Sequence, residues 1–355
     1  MNVSDFDFDL PESLIAQEAA DRGRSRLLVL PRQTAAVEHA MFADLGRYLR
    51  AGDLLVLNDT RVFPARLIGR RDPSGGEVEC LLMGRPRPLE DAEPRAEEWD
   101  ALVHPGQKLK PGARMVFDGP DTVLHGEVLA RRFQGRRTVR LWTADSGGVA
   151  AVVDRIGHVP LPPYIKREDR LADRERYQTV YAAERGSIAA PTAGLHFTAG
   201  QLEALRAAGI EQATVTLHVG YGTFKPVRVD RVEEHEVDPE AYTVTAEAAA
   251  ALTRARLAGR RVIAVGTTTV RVLESLAIPA GGEVHAASGE TRLFIHPGHP
   301  FRVVDGLITN FHLPRSSLLM LVAAFAGRER LLEAYREAVM HGYRFYSYGD
   351  AMLIA

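Results

Sequence analysis

The amino-acid sequence predicts an α/β protein, a mixed sheet with helices, that carries an inserted small antiparallel β-barrel domain. Residues 61–149 contain short alternating runs separated by Gly and Pro about every 8–12 residues, and no convincing helix. From about residue 150, apolar strands alternate with helices, which is typical of an α/β layer with parallel pairing. The early apolar run at residues 53–57 resembles those later strands. We therefore expect one discontinuous α/β domain, residues 1–60 and 150–355, interrupted by a barrel domain, residues 61–149.

The elements follow in order along the chain. Helix-like patterns occupy residues 14–20 and 41–50. The predicted barrel strands lie at residues 65–69, 77–82, 100–103, 114–117, 124–130 and 138–142. Thr198 and Gln201 form a T-x-x-Q capping box that opens a helix, and Gly209 closes it. After Pro314, an almost wholly apolar helix is expected to be buried.

The composition excludes several classes of protein. Of 355 residues, 46% are hydrophobic and 25% are charged, which is ordinary for a globular chain and excludes wholesale disorder. The single cysteine excludes a disulfide framework and a multi-cysteine metal site, and it fits a reducing cytosol. The longest apolar run, residues 318–326, is far shorter than the ~20 residues of a membrane helix. With no basic segment at the N-terminus, we expect a cytoplasmic protein without a signal peptide or membrane segment.

Polar residues gather where four apolar runs end. These clusters are Asn58-Asp59-Thr60-Arg61, His218 after an alternating strand, Thr267-Thr268-Thr269, and Asn310-Phe311-His312. Each has an ordinary structural explanation, because Asn and Asp form turns, hydroxyls cap helices, and a single histidine is most often structural. Open α/β sheets bind ligands outside the carboxyl ends of their strands, so four such ends together favour a ligand site.

Other motifs narrow the chemistry. His196 precedes a helix, near free N–H groups that suit an anion. The sequence has no P-loop, G-x-G-x-x-G, G-x-S-x-G or H-E-x-x-H motif. His296 and His299 form an H-x-x-H without an evident third ligand, and we interpret them as loop residues. No metal site is therefore predicted.

Basic residues cluster at two places, near residues 131–140 and near residues 166–176. Solvated charge is the usual explanation of such clusters. Arginine beside aromatic side chains also suits phosphate contact and base stacking, so an RNA or DNA surface is the alternative.

Several longer sequence segments, taken together, resemble those of one protein family. They are Leu57-Asn58-Asp59-Thr60-Arg61-Val62, Pro191-Thr192-Ala193-Gly194-Leu195-His196-Phe197-Thr198, His218-Val219-Gly220-Tyr221-Gly222-Thr223-Phe224, Gly266-Thr267-Thr268-Thr269-Val270-Arg271, Thr309-Asn310-Phe311-His312-Leu313-Pro314 and Tyr348-Gly349-Asp350-Ala351-Met352-Leu353-Ile354. With these strings in order from about Phe6 to the C-terminus, the chain resembles the S-adenosylmethionine:tRNA ribosyltransferase-isomerases of queuosine biosynthesis.

The resemblance implies an α/β domain with an inserted barrel and a cytoplasmic transferase. Such an enzyme transfers and isomerises the ribosyl part of S-adenosylmethionine onto the aminomethyl group of 7-aminomethyl-7-deazaguanine at the wobble position of tRNA. Epoxyqueuosine-tRNA forms, and adenine and methionine leave. S-adenosylmethionine is then a consumed substrate, no cofactor is implied, and the macromolecular partner is the anticodon stem-loop of tRNA.

We assign candidate roles on this basis. Proton transfer needs bases, for which the candidates are His196, His218, His312, Asp59 and Asp350. Candidates for binding S-adenosylmethionine or the modified base are Asn58, Thr60, Arg61, Thr192, Gly194, Gly220, Gly222, Thr223, Thr267, Thr268, Arg271, Asn310 and Ser316. Candidates for gripping tRNA are Arg131, Arg132, Arg136, Arg137, Lys166, Arg167 and Tyr177.

Two other classes remain open at this point. An S-adenosylmethionine-dependent methyltransferase would bind the same ligand, although the glycine-rich loop common in that class is not seen. A non-catalytic RNA-binding protein would not need histidines and acids gathered at strand ends. One chain of this length can supply both a pocket and a tRNA surface, which favours a monomer.

Overall fold

The computed structural model describes residues 1–32, 36–89, 96–132, 135–224, 226–279 and 282–355, and for Thr223 and Phe224 the backbone alone. The strands are β1 (Arg26–Leu30), β2 (Glu38–Met41), β3 (Leu54–Asn58), β4 (Thr60–Val62), β5 (Arg66–Asp72), β6 (Glu77–Leu89), β7 (Ala96–His104), β8 (Arg114–Asp118), β9 (Val123–Arg131), β10 (Arg136–Trp142), β11 (Glu184–Ser187), β12 (Glu211–Leu217), β13 (Glu240–Val244), β14 (Val262–Val265), β15 (Ala287–Thr291), β16 (Gly306–Asn310) and β17 (Ala351–Ile354). The α-helices are α1 (Gly148–Ile156), α2 (Asp173–Arg176), α3 (Ala199–Ala207), α4 (Ala246–Leu257), α5 (Thr267–Ser275), α6 (Ser317–Ala326) and α7 (Arg328–Met340). Short 3₁₀ helices lie at Val3–Phe6, Glu12–Leu14, Phe42–Arg47, Thr192–His196, Tyr221–Phe224 and Val232–Glu234.

Strands β5 to β10 close into an antiparallel barrel in the order β10-β7-β6-β5-β8-β9. Alternate residues point inward, and Trp99, Phe117 and Leu141 are among the side chains that fill the interior. Helix α1 packs Val149, Val152 and Val153 against the same core. In β6 the register with β7 shifts between Met83 and Arg87. This closed barrel confirms the predicted fold class.

The α/β part is built on a mixed sheet with the order β15-β13-β12-β3-β14-β16-β17-β1-β2. Strands β12, β3, β14 and β16 run parallel to one another, and β17 lies antiparallel to β16. A separate two-stranded parallel sheet pairs β4, at the start of the barrel segment, with β11, which follows that segment in the chain. The carboxyl ends of the four parallel strands therefore meet at one edge, as the sequence predicts.

Helices cover both faces of this sheet. Apolar side chains of α4 to α7 pack on one face, against residues such as Val56 and Ala264. Helix α3 and the 3₁₀ helix Phe42–Arg47 pack on the other face, against residues such as Leu55 and Ile263. Burial on both faces explains why these strands are continuous apolar runs rather than alternating ones.

The predicted helices at residues 14–20 and 41–50 are wrong as α-helices. Residues 42–47 form a 3₁₀ helix. At residues 14–16 the backbone bonds instead to the C-terminal segment, because Phe345 N donates to Leu14 O at 2.8 Å and Ala16 N donates to Phe345 O at 3.2 Å. A helical pattern in the sequence does not anticipate such a long-range contact.

Candidate active site

A pocket opens at the edge where the parallel strands end. Its lining includes five of the residues predicted for catalysis or substrate binding: Thr192, Thr267, Thr268, Asn310 and His312. Aromatic and small residues complete the wall, namely Tyr164, Tyr177, Ala189, Ala190, Pro191, Ala193, Val219, Gly266, Thr309, Leu318, Tyr346 and Ser347. An apolar wall with a few convergent polar groups is the usual make-up of a small-molecule site.

His312 is the predicted histidine that lines the pocket itself. Its Nε2 lies 2.9 Å from Thr309 Oγ1, and its backbone N–H donates to the Tyr335 hydroxyl at 3.0 Å. Burial lowers the pKa of His312 to about 3. The imidazole is therefore neutral at physiological pH.

His196 lies behind the pocket wall and reaches it through Asn310. The Asn310 amide donates to His196 Nε2 at 3.0 Å and to the Tyr346 carbonyl at 3.2 Å, and its oxygen accepts from Thr192 Oγ1 at 3.1 Å. Since Nε2 accepts, the ring proton is on Nδ1, which lies 2.6 Å from Ser25 Oγ. Burial, with the nearby charges of Arg176, Arg344 and Arg22, lowers the pKa of His196 to about 3.

His218 follows β12 and precedes Val219 of the pocket wall. Its Nδ1 lies 2.9 Å from Thr60 Oγ1, which lies 2.7 Å from Ser187 Oγ. On the other side of the ring, Arg85 Nη2 donates to Nε2 at 2.9 Å. Burial, and then the Arg85 charge, lowers the pKa of His218 to about 4. Arg85 belongs to the barrel, so the barrel contributes a group to the edge of the site.

The two predicted acids do not line the pocket. Asp59 accepts from Thr216 Oγ1 at 2.6 Å, and burial raises the pKa of its carboxyl. Asp350 accepts from the backbone N–H of Arg26 at 2.9 Å and of Arg344 at 2.8 Å, and it also pairs with the Arg26 guanidinium at 3.2 Å. Asp350 thus holds two chain segments together at this edge.

Asn58 and Ser316 are engaged within the fold. Asn58 is fully buried, and its amide bonds Leu217 N at 3.0 Å, Leu217 O at 3.1 Å and Thr268 Oγ1 at 3.2 Å. Ser316 caps helix α6 by accepting from Leu319 N at 3.2 Å. Both side chains therefore form hydrogen bonds within the protein, and neither lines the pocket.

Arg271 and the predicted glycines also lie outside this pocket. The Arg271 guanidinium forms a buried ion pair with Glu240 and donates to the Leu293 carbonyl at 2.9 Å. Gly194 packs so closely that a Cβ would lie 2.1 Å from the Tyr181 hydroxyl. Gly220 N donates to Glu240 at 2.8 Å, and Gly222 lines a neighbouring pocket with Arg271. The Thr223 side chain lies outside the described residues.

The predicted tRNA residues separate into exposed and engaged groups. Arg131 and Arg132 are exposed on the barrel, and Lys166 is exposed beside Glu12. Arg136 pairs with Asp238 at 2.7 Å, and Arg167 pairs with Asp173 at 2.7 Å.

Arg137 and Tyr177 do not lie on such a surface, which corrects two of the predictions. Arg137 is 7% exposed, and its guanidinium donates to backbone carbonyls that include those of Gly106 and Gly135. Tyr177 is 1% exposed and lines the pocket.

Sequence reasoning missed several residues of the candidate site, among them Arg85, Tyr346 and Ser347. Tyr346 and Ser347 directly precede the Tyr348–Ile354 string, so proximity to that string was an available signal. Tyr346 has a φ of 74°, an uncommon conformation for a residue other than glycine. No comparable signal marks Arg85.

One group among the described residues could hold a metal ion. The ligand atoms of His39, Glu337 and His341 lie within 4.8 Å of one another at the surface. None of the three lines the pocket. Among the described residues, no helix is long and apolar enough to cross a membrane.

Comparisons with known proteins agree with this architecture. A family model described as "Queuosine biosynthesis protein" matches residues 3–354. The S-adenosylmethionine:tRNA ribosyltransferase-isomerase of Heliobacterium modesticaldum is 52% identical over 355 residues, and that of Moorella thermoacetica is 51% identical over 355 residues, each covering 100% of both chains. The crystal structure of S-adenosylmethionine tRNA ribosyltransferase from Thermotoga maritima is 40% identical, with a TM-score of 0.55, and covers 99% of this chain and 100% of that chain. The family predicted from the sequence motifs is thus confirmed, and the chain belongs to the queuosine biosynthesis protein family.

Proposed function

We propose that this protein is an S-adenosylmethionine:tRNA ribosyltransferase-isomerase. In this reaction the ribosyl part of S-adenosylmethionine moves to the aminomethyl group of the 7-deazaguanine at the tRNA wobble position. Adenine and methionine leave, and epoxyqueuosine-tRNA is the product. The observation that carries the proposal is the pocket at the edge where the parallel strands of the sheet end. Residues of three family motifs line it: Thr192, Ala193, Gly266, Thr267, Thr268, Asn310 and His312.

The pocket suits S-adenosylmethionine as a consumed substrate. The rings of Tyr164, Tyr177 and Tyr346 offer electron-rich faces to a sulfonium. Burial raises the pKa of the Tyr346 hydroxyl to about 12, so that ring stays neutral. Thr192, Thr267 and Thr268 supply hydroxyls for the polar groups of the nucleoside and of methionine. We propose that the reaction needs no separate cofactor.

The reaction requires proton transfer, because the acceptor amine must lose a proton to attack and a proton next to the sulfonium must also leave. His312 is the candidate that faces the pocket in its neutral form, with Thr309 orienting the ring at 2.9 Å. We assign proton transfer in the pocket to His312, whose lowered pKa makes it a weak base that passes the proton on rather than keeping it. His196 contacts Asn310 of the pocket wall. His218 precedes Val219 of that wall and contacts Arg85 of the barrel. We therefore assign both histidines as positioning residues.

The tRNA must be held outside the pocket. We propose that the barrel, residues 61–149, forms a domain that contacts the anticodon stem-loop, with Arg131 and Arg132 exposed for phosphates. The discontinuous α/β domain, residues 1–60 and 150–355, would carry the chemistry. Because one chain supplies both parts, we propose a monomer that works in the cytoplasm on tRNA, without a membrane partner.

The test is incubation of the purified protein with S-adenosylmethionine and tRNA that carries the aminomethyl-deazaguanine. Free adenine and the mass of the modified nucleoside are followed over time. We expect adenine to appear in step with a mass gain on the tRNA nucleoside. A methylated product without adenine would instead establish a methyltransferase. Bound tRNA without either product would point to a non-catalytic binder.

A further inference from the structure

A second concave surface lies beside the pocket and carries an excess of positive charge. We call it the arginine cleft. Arg22, Arg61, Arg174 and Arg176 line it, and among the described residues Glu175 is the single carboxylate in its lining. Such an excess of guanidinium groups over acids favours an anionic ligand.

Two of these arginines are fixed in place without losing their charge. Arg22 donates to the backbone carbonyls of Leu195 at 2.9 Å and Glu175 at 3.1 Å. Arg174 donates to the carbonyl of Gly157 at 2.7 Å, just beyond the end of helix α1. Carbonyl oxygens orient a guanidinium but do not neutralise it, so both remain positive charges at set positions.

The other two arginines have side chains available for a ligand. Neither Arg61 nor Arg176 forms a side-chain hydrogen bond or ion pair with a described residue. Arg61 is exposed, whereas Arg176 is half-buried. Burial lowers the pKa of Arg176, and the nearby charge of Asp21 partly opposes this effect. A half-buried guanidinium without a bonded carboxylate is costly unless a ligand supplies the missing charge.

The cleft and the pocket share one wall. Tyr177 lines the pocket, while its neighbours Arg176, Gln178 and Thr179 line the cleft. Adjacent residues of one segment therefore line both cavities, so the cleft and the pocket are next to each other.

We propose that the arginine cleft binds a backbone phosphate of the tRNA, next to the nucleotide that enters the pocket. This inference rests on the proposed function, which supplies tRNA as the ligand. A phosphodiester is the anion that Arg61 and Arg176 would contact directly, while Arg22 and Arg174 add fixed positive charge. The cleft would set the register of the anticodon loop on the enzyme, separately from the barrel surface.

The carboxylate of S-adenosylmethionine is a second possible source of the same negative charge. The test therefore measures binding of both ligands by the Arg61→Gln and Arg176→Gln variants. Arg336→Gln is the matched control, since Arg336 is exposed on helix α7 and lines neither the cleft nor the pocket. Circular dichroism confirms that each variant is folded. Arg61 is exposed, so its variant keeps the proposal testable if Arg176→Gln does not fold.

We expect Arg61→Gln to weaken tRNA binding about tenfold at low salt, as expected for loss of a charged hydrogen bond. The slope of log affinity against log salt should fall by about 0.7 to 0.9, the effect of one phosphate contact. Affinity for S-adenosylmethionine should not change, and Arg336→Gln should match the wild type in both measurements. An unchanged tRNA slope in the folded Arg61 variant, or weaker binding of S-adenosylmethionine alone, overturns the proposal.

These measurements need no turnover, so they are separable from the proposed activity. If the wild-type protein releases no adenine but Arg61→Gln still lowers the salt slope, the proposed function is wrong and the phosphate site stands. If adenine release occurs and the slope is unchanged, the enzyme assignment stands and the phosphate site is wrong.

Discussion

Arg85 Nη2, on barrel strand β6, lies 2.9 Å from Nε2 of His218, at the end of strand β12 of the main sheet. Gly84, with a φ of 71°, precedes Arg85 where the register between β6 and β7 shifts. This irregularity directs an exposed barrel arginine toward the pocket edge. The barrel therefore contacts a candidate site residue directly.

Replacing Arg85 by Gln should change the titration of His218. Burial and the Arg85 charge lower the pKa of His218 to about 4, so removing the charge should raise it part of the way toward the usual value. Adenine release should fall about tenfold in kcat/KM, the effect of one lost charged hydrogen bond. NMR titration of the His218 ring measures the first effect.

Arg87→Gln is the control for this experiment, because Arg87 is on the same strand but pairs with Glu98 and Asp100. It should leave the His218 titration as in the wild type. If Arg85→Gln leaves the pKa of His218 unchanged, the contact between the barrel and the histidine does not form in solution.

His312→Asn should lower the rate of adenine release by about 10² to 10⁴, the usual contribution of a positioned general base. Thr309→Val removes only the hydroxyl that lies 2.9 Å from the ring, so its effect should be smaller. Single-turnover kinetics with both substrates saturating measures the chemical step. Near-native turnover by folded His312→Asn would assign the proton transfer to another residue.

The sequence predicted where the candidate site lies better than it predicted which residues line it. Polar residues after apolar runs marked the carboxyl edge, because parallel strands bring their ends together wherever they lie in the chain. The sequence could not show which of those residues would form hydrogen bonds within the fold instead of lining the pocket. Asn58 and Thr192 are both polar residues in the predicted motifs. The Asn58 side chain, however, is hydrogen-bonded to Leu217 and Thr268, whereas Thr192 lines the pocket.

Charge patterns were equally ambiguous. Arg131 and Arg137 belong to one basic cluster, but Arg137 turns inward to donate to the carbonyls of Gly106 and Gly135. Alternation predicts which side of a strand faces inward only when the inward residues are apolar. In strand β10, Arg137 shares a face with Val139 and Leu141, which are both in the barrel core, so the alternation indicated an inward side chain and only the charge suggested an outward one.

Stability should fall as the pH falls below about 6.5. His196, His218 and His312 have pKa values lowered to about 3, 4 and 3 in the folded protein, against about 6.5 in an unfolded chain. Below pH 6.5 the unfolded state therefore binds more protons, and each histidine costs up to about 1.4 kcal/mol of stability per pH unit. Above pH 6.5 this contribution is fully present. Urea unfolding at pH 7.5, 6 and 5 measures the loss.

In His312→Asn, the free energy of unfolding should fall less steeply with decreasing pH, because one of the three buried histidines no longer contributes. His285→Asn, at an exposed position, should leave it unchanged. Equal pH slopes for the wild type and His312→Asn would mean that His312 is not buried in the neutral form.

Replacing Arg131 and Arg132 together by Ser should weaken tRNA binding and lower its salt slope by about 1.4 to 1.8, if both contact phosphate. Both side chains are exposed on the barrel, so the fold should survive. Filter binding across a range of salt concentrations measures the slope. The control is Arg70→Ser, another barrel arginine, which already pairs with Asp118. A double variant with wild-type affinity and slope would remove the barrel arginines from the tRNA surface.

Tyr177 should distinguish the charged sulfonium from a neutral sulfur. Its ring lines the pocket and is 1% exposed, so a cation against its face would be desolvated and held by about 1 to 2 kcal/mol. Tyr177→Leu should therefore bind S-adenosylmethionine about 5- to 30-fold more weakly, while its affinity for S-adenosylhomocysteine, which lacks the charge, should change much less. Tyr177→Phe keeps the aromatic face and should behave as the wild type in both measurements. Calorimetric titration of the three proteins with the two ligands gives the comparison. Equal losses for both ligands in Tyr177→Leu would mean that the ring contributes shape alone, and the sulfonium would then lie against another part of the wall.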